Sequence, residues 1–388
     1  MKQMNKWLLC TGPDWYRPSV TSTRQIAYQF HATGYKVLWV NPVAFKSPSV
    51  NSSTKKSRNK KILNKLFTHI RFFARPQPGF YVMVPFYFPL FGSKWKKIND
   101  KLIGIQVQFI SLLLGIKFRN TILWISGSFT LSSLLHHRFK MKVYQAADVI
   151  SEFRTNDADL LSQLKKQEIH LCNSADHIFA SSPNIKQKLK ALSAKRIHLL
   201  THGVNFDHFS KPRLLNPFML SIKEKGLPIA GYYGTLSDAN DKEVFKALAG
   251  HGFSVVIIGK VLGDYSTLQG LENIYFTGPI SFDELPSYAQ GFDVCLLNWI
   301  MANWITNSFP VKTLEYLAMG KPIVSCPIPV IIEMFEEVVY FANTPQQFVK
   351  KSVTAIDEDN PVLAAKRMNL AREHTWENKF RIIEETIG

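Results

Sequence analysis

Apolar runs of about five residues alternate with amphipathic stretches along the chain, and the alternation follows a strand–helix rhythm. Trp7–Thr11 (WLLCT) is apolar almost without interruption and reads as a short strand. Gly12-Pro13-Asp14 then breaks the run as a turn. Residues 23–32 recur at helical spacing, and Gly34 precedes a second strand, Lys36–Val40. This order predicts the start of a doubly wound α/β domain. Further strands are expected at residues 79–89, 121–125, 142–147, 177–182 and 197–200, and helices at 102–116, 157–172 and 183–192. A second αβ series opens at Ile229 with IAGYYGT. It continues through a helix over 241–249, strands FSVVIIG and NIYFTG, a helix over 282–289 and strand DVCLLN. Residues 210–228 carry three prolines and read as a linker. The expected division is therefore a first domain over 1–209, a linker over 210–228, a second domain over 229–365 and a last helix over 366–388.

The most informative stretch is residues 303–326, NWITNSFPVKTLEYLAMGKPIVSC. Pro310 suits the first position of a helix, where its missing N–H costs nothing. Val311, Leu314, Leu317 and Ala318 fall on one helical face and predict a core-facing stripe. Gly320 reads as the residue past the helix end, and Pro322 precedes a strand-like Ile323-Val324. Lys312 and Glu315, three apart, share another face. Taken alone they are an ordinary surface pair. Yet a lysine in the first turn opposes the partial positive charge of the helix end, and a bound anion there would reverse that sign.

The string S-F-P-x-K-x-x-E-Y-L-A-x-G-K-P-I-V resembles the donor-binding motif of GT-B glycosyltransferases, and its P-x-K-x-x-E-Y form is similar to teichuronic-acid-type and glucuronosyl-type enzymes of bacterial cell-surface polysaccharide synthesis. The resemblance implies two Rossmann-like α/β domains facing across a cleft, with a C-terminal helix crossing back to the first. It also implies that Glu315 holds the donor's ribose and that Lys312 lies against the diphosphate or a charged sugar, with Thr313 between them. The commoner family form carries a further glutamate eight residues before Glu315, a position taken here by Asn307, followed by Ser308. Gly234-Thr235 and Gly259-Lys260 end strands, where the family's turns reach phosphate and base, so Gly234, Thr235 and Lys260 join the donor set. By the same resemblance, A-D-H-I-F-A-S-S-P and T-H-G-V-N (residues 201–205) close the acceptor domain, placing His202 at the cleft. Asp148 matches an acidic position of these enzymes. The first loop puts Gly12, Asp14 and Arg17 near the acceptor. REHTWEN near the end also fits the family, and the resemblance is clear over residues 140–388.

Charge adds a location to this picture. Residues 1–200 hold 31 Lys and Arg against 8 Asp and Glu, whereas the remainder holds 16 against 21. Such asymmetry points to a polyanion or an anionic membrane for the first half. A basic, Ser/Asn-rich segment at 46–66 contains Lys55, Lys56, Arg58, Lys60, Lys61 and Lys65. Lys94-Trp95-Lys96-Lys97 is a second cluster, and the Trp95 indole suits a membrane interface. The apolar run at 102–116 falls short of the ~20 residues needed to span a bilayer. The expectation is a peripheral protein on the cytoplasmic face of the bacterial membrane, with a nucleotide-sugar donor and a lipid-linked or polysaccharide acceptor as partners. Four scattered cysteines without ligand spacing read as buried thiols of a reducing compartment.

The chemistry expected is glycosyl transfer from a UDP-linked sugar, with UDP-glucuronate among the candidates. Lysines and helix N-termini can stabilise the leaving diphosphate, so neither a metal nor a cofactor is expected. D-A-D at residues 157–159 begins a helix and reads as helix-start charge. Asp148, His202 and Asp14 are the candidate bases for an acceptor hydroxyl. Two other readings compete: a non-catalytic basic nucleic-acid-binding protein, and a nucleotide-sugar epimerase of similar fold. The first is opposed by the acidic second half and the lack of any nucleic-acid motif, so no nucleic-acid partner is expected. The second would release a free product without an acceptor.

Overall fold

The computed structural model describes residues 6–16, 21–43, 72–88, 93–147 and 158–388. The chain forms two compact α/β units, residues 1–200 with 386–388 and residues 201–385.

The first unit is built on an eight-stranded sheet of order β3-β4-β2-β1-β5-β6-β7-β8. Its strands are β1 (Trp7–Thr11), β2 (Lys36–Val40), β3 (Phe73–Gln77), β4 (Phe80–Met83), β5 (Thr121–Ser126), β6 (Met141–Ala146), β7 (His177–Ala180) and β8 (Ile197–Leu199). All pairs are parallel except the antiparallel β3–β4 edge. β1 is wholly buried and pairs on both sides, which explains its unbroken apolar run. The connecting helix Ser22–Ala32 is capped by Thr21, whose side chain accepts from the Arg24 N–H, and buries Thr23, Ile26, Ala27 and Phe30.

Two elements differ from the sequence pattern. The expected strand over 79–89 keeps sheet pairing only to Met83, because Pro85 has no N–H to offer a ladder. The expected helix over 102–116 instead spans Ser93–Leu113, taking in the basic cluster and stopping just before Gly115, whose φ is +68°. No helix among the described residues is long and apolar enough to cross a membrane.

The second unit holds an all-parallel sheet of order β11-β10-β9-β12-β13-β14. The strands are β9 (Ile229–Tyr233), β10 (Ser254–Ile258), β11 (Ile274–Gly278), β12 (Val294–Leu297), β13 (Ile323–Ser325) and β14 (Val339–Phe341). Chain order reverses beside β9, which makes its C-terminal end the topological switch point where α/β sheets bind ligands. The segment 210–228 is more than a linker. It contains the helix Pro217–Lys223, whose Met219 and Ile222 are buried in the second unit's core. The unit boundary therefore falls after Leu200 rather than after residue 209, and the last helix, Trp376–Ile387, belongs to the second unit as far as Glu385. All four cysteines are buried free thiols.

Candidate donor site

The helix Val311–Ala318 is the element that presents the site. Pro310 is its cap residue rather than its first helical residue, and Thr313, Leu314, Tyr316, Leu317 and Ala318 are buried. At the other end Gly320 adopts φ +70°, which only glycine takes without strain. Its carbonyl accepts from the buried Arg367 guanidinium at 3.0 Å, and Arg367 is in turn paired with Asp359 at 2.6 Å. Both helix ends are thus fixed, one by proline and one by a charged cap.

Lys312 lies in the first turn of this helix, with its ammonium over the Trp299 ring at 5.2 Å and the Tyr232 ring at 5.3 Å. Two aromatic faces hold the cation in place while leaving its N–H donors able to meet an anion. Beneath it is Gly234, the residue after β9. A Cβ at Gly234 would stand 2.4 Å from Lys312 Cε, and its φ of +127° independently excludes other residues. Gly259, after β10, approaches so closely that a Cβ there would lie 2.1 Å from the Gly234 carbonyl oxygen. The missing Cβ atoms let the Lys312 side chain rest directly on Gly234, which sets an ammonium beside two strand ends at a helix N-terminus, where anions bind.

Glu315, one turn on, accepts a hydrogen bond from the Tyr233 hydroxyl at 2.8 Å. Burial raises its pKa, while the Tyr233 hydrogen bond and the Lys312 charge pull it down. A carboxylate held by one donor keeps further lone pairs for two sugar hydroxyls. Tyr232, Tyr233 and Trp299 are the site residues that the motif alone did not reveal. The signal was present in the paired tyrosines immediately before a strand-end glycine, where successive side chains leave a strand on opposite faces.

The other expected donor residues divide. Thr235 and Lys260 lie exposed at the same strand ends, and the Thr235 carbonyl accepts from the Tyr232 hydroxyl at 3.1 Å. Asn307 and Ser308 are half-buried on the approach to the helix, with the Ser308 hydroxyl donating to the Ile305 carbonyl. Thr313 faces the core, where its hydroxyl is buried without a partner, so its side chain is not presented with Lys312 and Glu315.

His202 is brought near the start of the same helix, its ring edge-on to Phe309 at 5.8 Å. The turn that carries it interlocks with the REHTWEN segment. The Val204 N–H donates to the His374 carbonyl at 2.9 Å, and a Cβ on Gly203 would meet the Trp376 ring at 2.8 Å. Beside this junction the Lys379 ammonium, 5 % exposed, donates to Thr201 Oγ1 and His374 Nδ1, each at 2.8 Å. Burial lowers Lys379 to about 8, and burial followed by the Lys379 charge lowers His202 and His374 to about 4. For each group the unfolded chain therefore binds the proton more readily. Stability is expected to fall as pH drops from 6.5 towards 4, and to rise by about 1–3 kcal/mol between pH 8 and 10.5. Lys379→Met should flatten the alkaline rise in urea titrations, and a rise of equal size in that variant would show that Lys379 is not its source.

In the first unit, Gly12 and Gly127 follow the adjacent strands β1 and β5, at that sheet's switch point. A Cβ on Gly12 would stand 2.7 Å from the Trp39 ring. Asp14 Oδ1 accepts from the Asn41 side chain at 2.9 Å and from the Tyr16 N–H at 3.1 Å, the pattern of a turn former. Trp95 is half-buried with its ring against Phe88. Arg17, Lys55, Lys56, Arg58, Lys60, Lys61 and Asp148 lie outside the described residues.

Comparison with known proteins places this geometry. Residues 235–358 match the family described as Glycosyl transferases group 1. A Bacillus subtilis protein named as a teichuronic acid biosynthesis glycosyltransferase, TuaH, is 26% identical over 276 residues, covering 66% of this chain and 69% of its own. Among solved structures, sucrose-phosphate synthase from Thermosynechococcus elongatus superposes with a TM-score of 0.67 at 12% identity, covering 98% of each chain. Anabaena HepE, solved in complex with UDP, gives 0.64 at 15% identity over 98% of this chain and 99% of its own. The fold is the GT-B fold of these glycosyltransferase structures. More particularly, the chain is similar to the group 1 transferases and, among curated proteins, to TuaH.

Proposed function

We propose that the protein transfers a hexosyl or glucuronosyl group from a UDP-linked donor to a lipid-linked or polysaccharide acceptor of a bacterial cell-surface glycan, working at the cytoplasmic face of the membrane. The observation that carries this reading is the Lys312 ammonium clamped over Gly234, one helical turn from a Glu315 carboxylate held by Tyr233. The similarity to TuaH supports a surface-glycan product, and the UDP bound to HepE supports a uridine donor.

In this reading the diphosphate lies against the Lys312 ammonium at the strand ends, and Glu315 accepts from the ribose hydroxyls. As the sugar–phosphate bond breaks, negative charge collects on the leaving UDP. A lysine already fixed by two rings stabilises that charge without reorganising at the moment of reaction. Thr235 and Lys260 lie at the same strand ends, and Asn307 and Ser308 precede the helix that carries Lys312. The Asp14 carboxylate is engaged in its own turn, which leaves His202 as the described candidate for the acceptor's proton. Its imidazole is unprotonated at neutral pH, as a base must be.

The charge stabilisation comes from the chain's own cation and helix end, so transfer is expected to need no metal. Donor turnover measured with and without EDTA should be unchanged within about twofold. Complete loss in EDTA, restored by manganese or magnesium, would contradict this part of the mechanism.

A further inference from the structure

One face of the Ser93–Leu113 helix is apolar and uncovered. Ile103, Val107 and Ile110 pack into the first unit's core, whereas Ile105, Phe109, Leu112 and Leu113 are 55, 59, 78 and 66 % exposed. At 3.6 residues per turn these four form one stripe. A strap widens it. The backbone of Phe86 exchanges hydrogen bonds with the Gln106 side chain at 2.9 and 2.8 Å, and that of Phe88 with Asn99 at 2.8 Å each. The strap's polar groups are satisfied by the helix, while the two phenyl rings, 5.7 Å apart, remain exposed. A patch of this kind exceeds the single scattered apolar residues of an ordinary surface.

The surroundings identify what covers it. Lys97 and Lys101 are exposed towards one end of the stripe, and Lys117 and Arg119 just beyond the other. Asp100 is the single acidic residue between positions 72 and 147, and it is already paired with Lys96. An apolar face with cations at both ends matches an anionic lipid surface. A two-fold pairing of copies would instead set one cationic rim against another.

We propose that this face is the membrane-docking surface of the protein. The Ile105–Leu113 stripe and the Phe86 and Phe88 rings enter the boundary between headgroups and acyl chains. The four cations meet the headgroups. The inference deepens the placement at the membrane given above and rests on it for the choice of lipid, but not for the donor chemistry.

The test is co-sedimentation of the full chain with phosphatidylglycerol-containing and with pure phosphatidylcholine vesicles. Binding is expected to the former and to weaken about tenfold between about 0.1 and about 0.5 M salt. The Phe109→Ser/Leu112→Ser/Leu113→Ser variant should partition about a hundredfold less, because three large apolar side chains leave the interface. Glu315→Gln should bind vesicles as the native chain does, so failure of the docking face and failure of the donor site are read separately. A Leu112→Cys variant carrying an environment-sensitive dye keeps the question open to test should the triple variant misfold. Its emission should shift to the blue with anionic vesicles. The inference is overturned by absent binding to anionic vesicles, by equal binding of the triple variant, or by a dye that does not respond. It is overturned equally by a dimer that the triple substitution converts to monomer with no lipid bound.

Discussion

Lys312→Met is expected to lower kcat/KM for the sugar donor by about 10²–10³, the usual cost of removing one preorganised group that stabilises transition-state charge. Methionine is the informative replacement because its thioether still fills the gap between Trp299 and Tyr232, where sulfur packs well on aromatic rings. The melting temperature should therefore stay close to the native value, which separates lost chemistry from lost fold. Glu315→Gln is the companion change. The amide oxygen can still accept from Tyr233, but the charge-assisted bonds to ribose are lost, weakening donor binding by about 1.5–3 kcal/mol. The two substitutions act on different parts of one ligand, so Glu315→Gln should raise KM chiefly while Lys312→Met lowers kcat. Native kinetics in both variants would remove the site from the reaction.

The second large effect concerns the strand that supports this site. Gly231 lies inside β9, paired with β10 on one side and β12 on the other. The fully buried Phe292 ring lies across it, so that a Cβ on Gly231 would stand 2.1 Å from ring carbons. Neither the strand, held by two neighbours, nor the ring, held in a packed core, can yield cheaply. Gly231→Ala is expected to cost about 3 kcal/mol or more and to lower the melting temperature by about 10 °C. Adding Phe292→Leu should recover part of that loss, since the two residues share one volume. An alanine variant as stable as the native chain would show that the ring does not lie across the strand as described.

Much of this architecture is legible in the sequence because local and global preferences agree. Strand β1 reads as a strand because it is apolar at every position but its last, and the second series is delimited by glycines that turn out to need positive φ. The limits of the reading are equally physical. The strand expected over 79–89 is cut by Pro85, and the rest of the run gives up sheet pairing for side-chain amides seven residues apart on the helix, Asn99 and Gln106. No periodicity within 79–89 encodes that choice, because the partners lie elsewhere in the chain. The stretch 210–228 looks like a linker by its prolines, yet Pro217 starts a helix after the Asn216 cap, and Met219 and Ile222 supply its apolar face. In the candidate site, Lys312 and Glu315 are legible from their motif. Tyr232, Tyr233 and Trp299, which hold them, come from two strand ends that only the sheet order brings together.

The central claim is that a uridine diphosphate binds against the Lys312 ammonium at the strand ends, with its ribose on Glu315. A crystal structure of the protein soaked with UDP tests it most directly. The expected density places the diphosphate within hydrogen-bonding reach of Lys312 Nζ above Gly234, and the ribose hydroxyls on the Glu315 carboxylate. Density for UDP away from the Val311–Ala318 helix, with Lys312 Nζ touching no phosphate oxygen and Glu315 bonded only to Tyr233, would contradict it.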